Sequence, residues 1–235
     1  MKKITLFAAL CAGVLSLSAG EVKISKPNVY HSLTRKIAID STKDYTLTIN
    51  AKGGKGKLTV TLYQFNKDQR RIGAAHVWGK ADTLTEIVGP AICGAKEFIV
   101  KDASKWIKPR SGTNIVGFKA KSDFSDLPNF TIDYYISNIS KQNDGTWKIE
   151  MKTPLRRSHA SGTLVRQHYD GGHLTAYVPL PVSKPYTVTI KVAKGLGPHS
   201  GTWWPGAAFV QISARTADGT PVTITDWSLK EVSAK

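Results

Sequence analysis

Tyr45-Thr-Leu-Thr-Ile49 and Leu58-Thr-Val-Thr-Leu62, with Ala51-Lys-Gly-Gly-Lys-Gly-Lys57 between them, set the grammar of this chain. Apolar residues alternate with hydroxyl residues in each segment, the period-two signature of a strand with one face in a core and one in water. The glycine-rich connection reads as a turn, and the pair is predicted to form a hairpin. Its glycines and lysines lack the GxxxxGK[ST] spacing of a phosphate loop, and no helix pattern follows.

Outward from this pair the same period recurs. Strands are predicted at 97–101, 114–121, 130–136, 147–152, 163–169, 173–178, 186–193, 207–214 and 222–230, separated by Gly, Pro, Asn and Asp clusters. Helix signals are sparse: Asp102 is placed to cap one turn through Trp106, and 83–88 is ambiguous. Short, evenly spaced strands predict an all-β fold, an antiparallel β-sandwich of jelly-roll type. Lys43-Asp-Tyr-Thr-Leu-Thr-Ile49 and Lys184-Pro-Tyr-Thr-Val-Thr-Ile190 echo each other. The echo fits either duplication of a small β-unit or two core strands of equal burial, and residues 21–235 are read as one sandwich domain.

Residues 1–20 follow a different rule. Lys2 and Lys3 precede a mostly apolar run from Ile4 to Leu17, and Ser18-Ala19-Gly20 supply the small residues that precede a cleavage site before Glu21. This segment reads as a signal peptide, with the protein secreted or periplasmic. Cys11 lies within it behind Leu10, where a lipid-attachment motif wants a small residue, so Cys93 is left alone and no intramolecular disulfide is expected. No later segment approaches the roughly twenty apolar residues of a transmembrane helix.

The chain of 235 residues carries a net charge of +16, spread along its length with short runs at Arg70-Arg71 and Arg156-Arg157. Such a surface attracts polyanions. Outside the cytoplasm those are acidic or sulfated polysaccharides and anionic envelopes; nucleic acid is not an expected partner. A lysine-rich surface serving only solubility fits the same composition.

The Tyr-Thr-Leu-Thr-Ile and Ala-Lys-Gly pattern, with Thr225-Asp226-Trp-Ser-Leu-Lys-Glu231 closing the chain, resembles the jelly-roll carbohydrate-binding modules with a galactose-binding-like fold. The resemblance spans roughly residues 35–65 and 185–231 and implies glycan binding without chemistry. Many relatives hold a structural calcium with an N-terminal Asn-Gly-(Asp)-Phe-Glu signature and the terminal Asp. That signature has no counterpart in residues 21–36, so no cofactor is expected.

The densest polar constellation runs from Gly162 to Tyr177. With Asp170-Gly171-Gly172 as a turn, Arg166 and His168 share one strand face, and His173 and Tyr177 share a face of the returning strand. Cross-strand neighbours lie about 5 Å apart, so the four are predicted to form a cationic, stacking surface suited to an acidic sugar. The same residues also read as plain strand positions, and a one-residue slip exchanges the faces. Trp203-Trp204 and Trp78 are the candidate stacking platforms, one of the adjacent pair being expected outward; Trp106, Trp147 and Trp227 read as core.

The residue types of a polysaccharide lyase, Tyr or His as base and Arg or Gln as neutraliser, occur in the same stretch, which keeps glycan-active catalysis as an alternative. An envelope protein with a merely adhesive basic surface is a second. No facing carboxylate pair marks a glycosidase, no GxSxG elbow marks a hydrolase, and the dispersed histidines give no metal pattern.

Overall fold

The computed structural model describes residues 21–193 and 201–232. The predicted leader and the second Lys-Gly of the echoed motif lie outside the described residues. The strands are, in chain order, β1 (Val22–Ile24), β2 (His31–Ser32), β3 (Ile37–Ala38), β4 (Tyr45–Gly53), β5 (Gly56–Phe65) and β6 (Arg71–Ile72). A four-residue helix, α1 (Ala74–Val77), precedes β7 (Thr85–Glu86), β8 (Glu97–Val100), β9 (Ile115–Phe118), β10 (Ile132–Tyr134), β11 (Ile136–Lys141), β12 (Trp147–Met151) and β13 (Leu164–His168). The chain closes with β14 (Thr175–Leu180), β15 (Tyr186–Ile190), β16 (Phe209–Thr216) and β17 (Val222–Glu231). Among the described residues no helix is long and apolar enough to cross a membrane.

Two sheets share the first core. One has the order β1-β17-β4-β15; the other has β14-β5-β16-β2, with β3 also on β16 and β6 on β5. Taking β2 with β3 as one strand position and β6 with β5 as another, successive strands of this core cross from sheet to sheet, except for β5 and β14, which pair within one sheet; this is the strand order of a jelly roll. Leu47, Ile49, Leu58, Val60, Leu62, Val178, Ile212 and Trp227 lie in that core, the inward residues of the alternation on which the sequence reading rested.

The predicted hairpin is corrected. β4 pairs with β15 and β17, and β5 with β14, β16 and β6, so the glycine-rich connection carries the chain between facing sheets. Both segments have an apolar face that needs a core, and facing each other buries both faces at once. Gly54 shows why the turn is glycine: it has φ +75°, and a Cβ there would press on Val222 and Leu180.

The two echoing segments are antiparallel neighbours. Tyr186 lies opposite Ile49, Thr187 opposite Thr48, Val188 opposite Leu47, Thr189 opposite Thr46 and Ile190 opposite Tyr45. Read in opposite directions, Tyr-Thr-x-Thr-Ile matches itself, aromatic against branched and hydroxyl against hydroxyl. The repetition belongs to adjacent strands of one sheet.

Between β5 and β14 the chain builds a second pair of sheets, β10-β9-β13-β7 and β11-β12-β8. These enclose their own cluster, including Phe98, Val100, Phe118, Ile136, Ile149, Met151 and Val165. A smaller cluster of Ile72, Ala74, Val77, Trp204 and Ala207, with Trp78 and Phe130 against it, lies where α1 meets the jelly roll. At 102–106, where one helical turn was predicted, Asp102 accepts from the Ser104 amide at 2.8 Å in a simple turn.

Candidate functional site: an aromatic and cationic sheet face

The hydroxyl side of β5 turns away from the core. Lys57, Thr59, Thr61 and Tyr63 alternate with the core residues Leu58, Val60 and Leu62; Thr59 and Thr61 are themselves buried, at 9% and 1% exposure, so β5 shows Lys57 and Tyr63 at the surface. Register sets Tyr177 of β14 and Arg215 of β16 on either side of Thr59, Thr175 and Ser213 beside Thr61, and Gln211 beside Tyr63. Period two thus puts one outward row on each of three adjacent strands.

Rings extend that row. Tyr30, before β2, meets Tyr63 edge-on at 5.8 Å; Tyr63 meets His173 at 6.2 Å; and His173 tilts over Trp204 at 5.9 Å. Cations lie over the rings: the Arg71 guanidinium 4.1 Å from Tyr63, Arg215 5.0 Å from Tyr30, and the Lys57 ammonium 5.3 Å from Tyr177. Asn28 Oδ1 accepts from Arg215 Nη1 at 2.6 Å and fixes that guanidinium. Tyr177 is the most open of the tyrosine rings at 58% exposure.

Burial sets the protonation of this face. It raises the Tyr63 phenol above its ordinary value, with Tyr30 adding to the rise and Arg71 opposing it. It lowers the His173 imidazole, Asp170 opposing, so the ring is neutral at pH 7. The face therefore offers neutral hydroxyls, a neutral imidazole and fixed guanidinium charge.

The predicted cluster of Arg166, His168, His173 and Tyr177 is not brought together. β13 pairs with β9 and β7, whereas β14 pairs with β5, so the pairs belong to different sheets. Only His173 and Tyr177 reach the outward face. Arg166 is 1% exposed: Nη2 donates to the Lys121 carbonyl, Nη1 lies 3.6 Å from Asp126 Oδ1, and the guanidinium stacks 3.9 Å from Phe124.

His168 is fully enclosed beside it. Its Nδ1 donates to the Ala75 carbonyl at 2.8 Å, because a carbonyl only accepts, and Nε2 faces Gly117 and Gly79. Burial holds this imidazole down at about 4. Both faces of β13 are covered: the loop after β9 and helix α1 lie against Arg166 and His168, while on the other face Val165 lies in the second core and Gln167 donates to the Ile107 and Thr113 carbonyls.

The tryptophans also differ from expectation. Trp203 and Trp204 are both buried, since they lie outside any strand and the chain is free to drive them into separate clusters. Trp203 Nε1 donates to the Lys43 carbonyl at 3.1 Å. Trp78 is half-buried: it donates to the Gly172 carbonyl at 3.3 Å, and Gly171 lies so close beneath its indole that a Cβ has no room. Trp106 and Trp227 are buried and Trp147 packs against the second core, as read from sequence.

Tyr30, Tyr63, Arg71, Arg215 and Lys57 escaped the sequence reading. Lys57 and Tyr63 were legible, as the residues that flank Thr59 and Thr61 in the same phase; the others reach the face through pairing and loop placement. Among the described residues no group of three or more His, Cys, Asp or Glu side chains converges as metal ligands. No protein-family model matches the chain, and neither a curated protein nor a solved structure matches it.

Proposed function

We propose that this is an exported carbohydrate-binding protein that takes anionic polysaccharide on the outward face of β14, β5 and β16, without catalysis. One observation carries the reading: the row of tyrosine rings with Arg71, Arg215 and Lys57 among them. An open ring such as Tyr177 offers its face to the C–H side of a pyranose. Thr175, Gln211 and the phenol groups of the same row exchange hydrogen bonds with sugar hydroxyls. Guanidinium groups fork onto carboxylate or sulfate substituents. The +16 net charge favours approach of a polyanion.

The test is a glycan-binding screen of the chain from Glu21 onward at physiological salt, comparing wild type with Tyr177→Ala and Arg71→Ala while monitoring for new chain ends. Selective binding of an acidic glycan, weakened about tenfold (~1.4 kcal/mol) in each variant and without product, is expected. Binding to every polyanion that ignores both substitutions and vanishes at moderate salt refutes the reading, because exposed charges are screened over about 8 Å. Product release refutes its non-catalytic part.

A further inference from the structure

The second pair of sheets holds a cleft of about 50 Å³ lined by Phe118, Thr131, Ile132, Asp133, Arg156, Arg157 and His159. A water needs roughly 10–15 Å³, so the cleft admits a small group of atoms but not a sugar ring. His159 is 5% exposed, and neither ring nitrogen has a hydrogen-bond partner. Its backbone is fixed by exchange with Ala91, at 2.7 and 2.9 Å, and its ring stacks on Phe118 at 3.8 Å with 1° between planes. The nitrogens lie in the ring plane, so this stacking occupies neither. A buried polar group left without a partner is costly, which argues for a ligand that completes it.

The charge of the lining selects the ligand. Asp133 is already engaged: Oδ1 accepts from Arg156 Nε at 2.5 Å, Oδ2 faces the Arg156 amide at 3.4 Å, and Arg156 Nη2 donates to the Ile132 carbonyl. That neutralises one cation and leaves Arg157 uncompensated, with Lys119 close enough to act on His159. We propose that this cleft binds a small oxyanion, a carboxylate or sulfate, held by Arg157, the free edge of Arg156 and an N–H of His159. The site lies apart from the tyrosine face and does not depend on it.

Burial is the first cause lowering the His159 imidazole; Lys119 and Arg157 lower it further and Asp133 opposes them. A bound oxyanion favours the protonated ring, so binding takes up a proton and tightens as pH falls.

The experiment follows the His159 ring resonances by NMR while sodium sulfate, and separately sodium acetate, is titrated at pH 6.0 and 7.5 with ionic strength held by sodium chloride. Wild type is compared with Arg157→Ala, an exposed position whose loss leaves the fold intact, and with Tyr177→Ala, which leaves this cleft untouched. Expected are a saturable shift by at least one of the anions, tighter at pH 6.0, weakened at least tenfold in Arg157→Ala and unchanged in Tyr177→Ala. Competition by a sulfated or uronate oligosaccharide would identify the oxyanion as a substituent, and failure to compete would identify it as a free ion; both uphold the site. Absence of saturation with either anion, or equal response in Arg157→Ala, overturns the proposal whatever the glycan screen returns.

Discussion

Replacing Arg166 by Met tests whether the most conspicuous cation of the 162–177 stretch builds the fold instead of meeting a ligand. The substitution keeps a long apolar stem but removes the guanidinium, which bonds the Lys121 carbonyl, faces Asp126 at 3.6 Å and covers Phe124 at 3.9 Å. Those partners belong to the loop between β9 and β10, where Lys119 and Phe124 hold positive φ of 56° and 62°. Asp126 is then left charged and buried at 6% side-chain exposure. Breaking a buried pair typically costs about 3–5 kcal/mol. Asp126 still accepts from the Lys121 amide and Asn129 Nδ2, each at 3.0 Å, so the lower end applies, near 3 kcal/mol. With m near 3 kcal/mol/M this moves a urea midpoint by about 1 M.

Tryptophan fluorescence during urea unfolding reads that shift. The cycle with Asp126→Asn separates charge from packing: adding Asp126→Asn to Arg166→Met is expected to cost about 1.5 kcal/mol less than Asp126→Asn alone, because the stranded charge has gone. Glycan binding by the folded variant is expected to equal wild type. A loss below about 1 kcal/mol, or effects additive within about 0.5 kcal/mol, would refute the account.

Gly117→Ala sets a Cβ 2.5 Å from His168 Nε2, a ring with no exposed side to retreat to, and is expected to cost about 1–3 kcal/mol by thermal unfolding; a wild-type transition would show that the strand relaxes freely. Acid is expected to destabilise the protein between about pH 6.5 and 4. His168 and His76 are held to about 4 in the fold, mainly by burial, with Arg70 and Arg156 adding at His76. Both are neutral in folded and unfolded chains above pH 6.5, where their contribution is complete; as pH falls toward 4 the unfolded chain takes up protons that the fold excludes. The slope is at most roughly 1.4 kcal/mol per pH unit for each histidine, and urea midpoints that stay flat from pH 7 to 5 would contradict it.

What the sequence by itself determined is the all-β architecture, because alternation is a local property. A strand writes its inward and outward residues into every second position; the segments at 97–101, 147–152 and 163–169 each contain the strand expected there, and 222–230 covers all but the last residue of β17. Even the outward Thr59, Thr61 and Tyr63 were legible as the hydroxyl phase of β5. Alternation is silent about which strand lies beside which. Only the tertiary structure decided that β4 and β5 face each other across a core, that the echoed motifs are neighbours, and that β13 and β14 part company, carrying Arg166 and His168 inward while Tyr177 faces out. One local clue pointed inward: Gly117, inside a predicted strand, marks the close approach that His168 makes to the backbone. Pairing depends on the total apolar area that distant segments bury together, and no window of a few residues contains that sum.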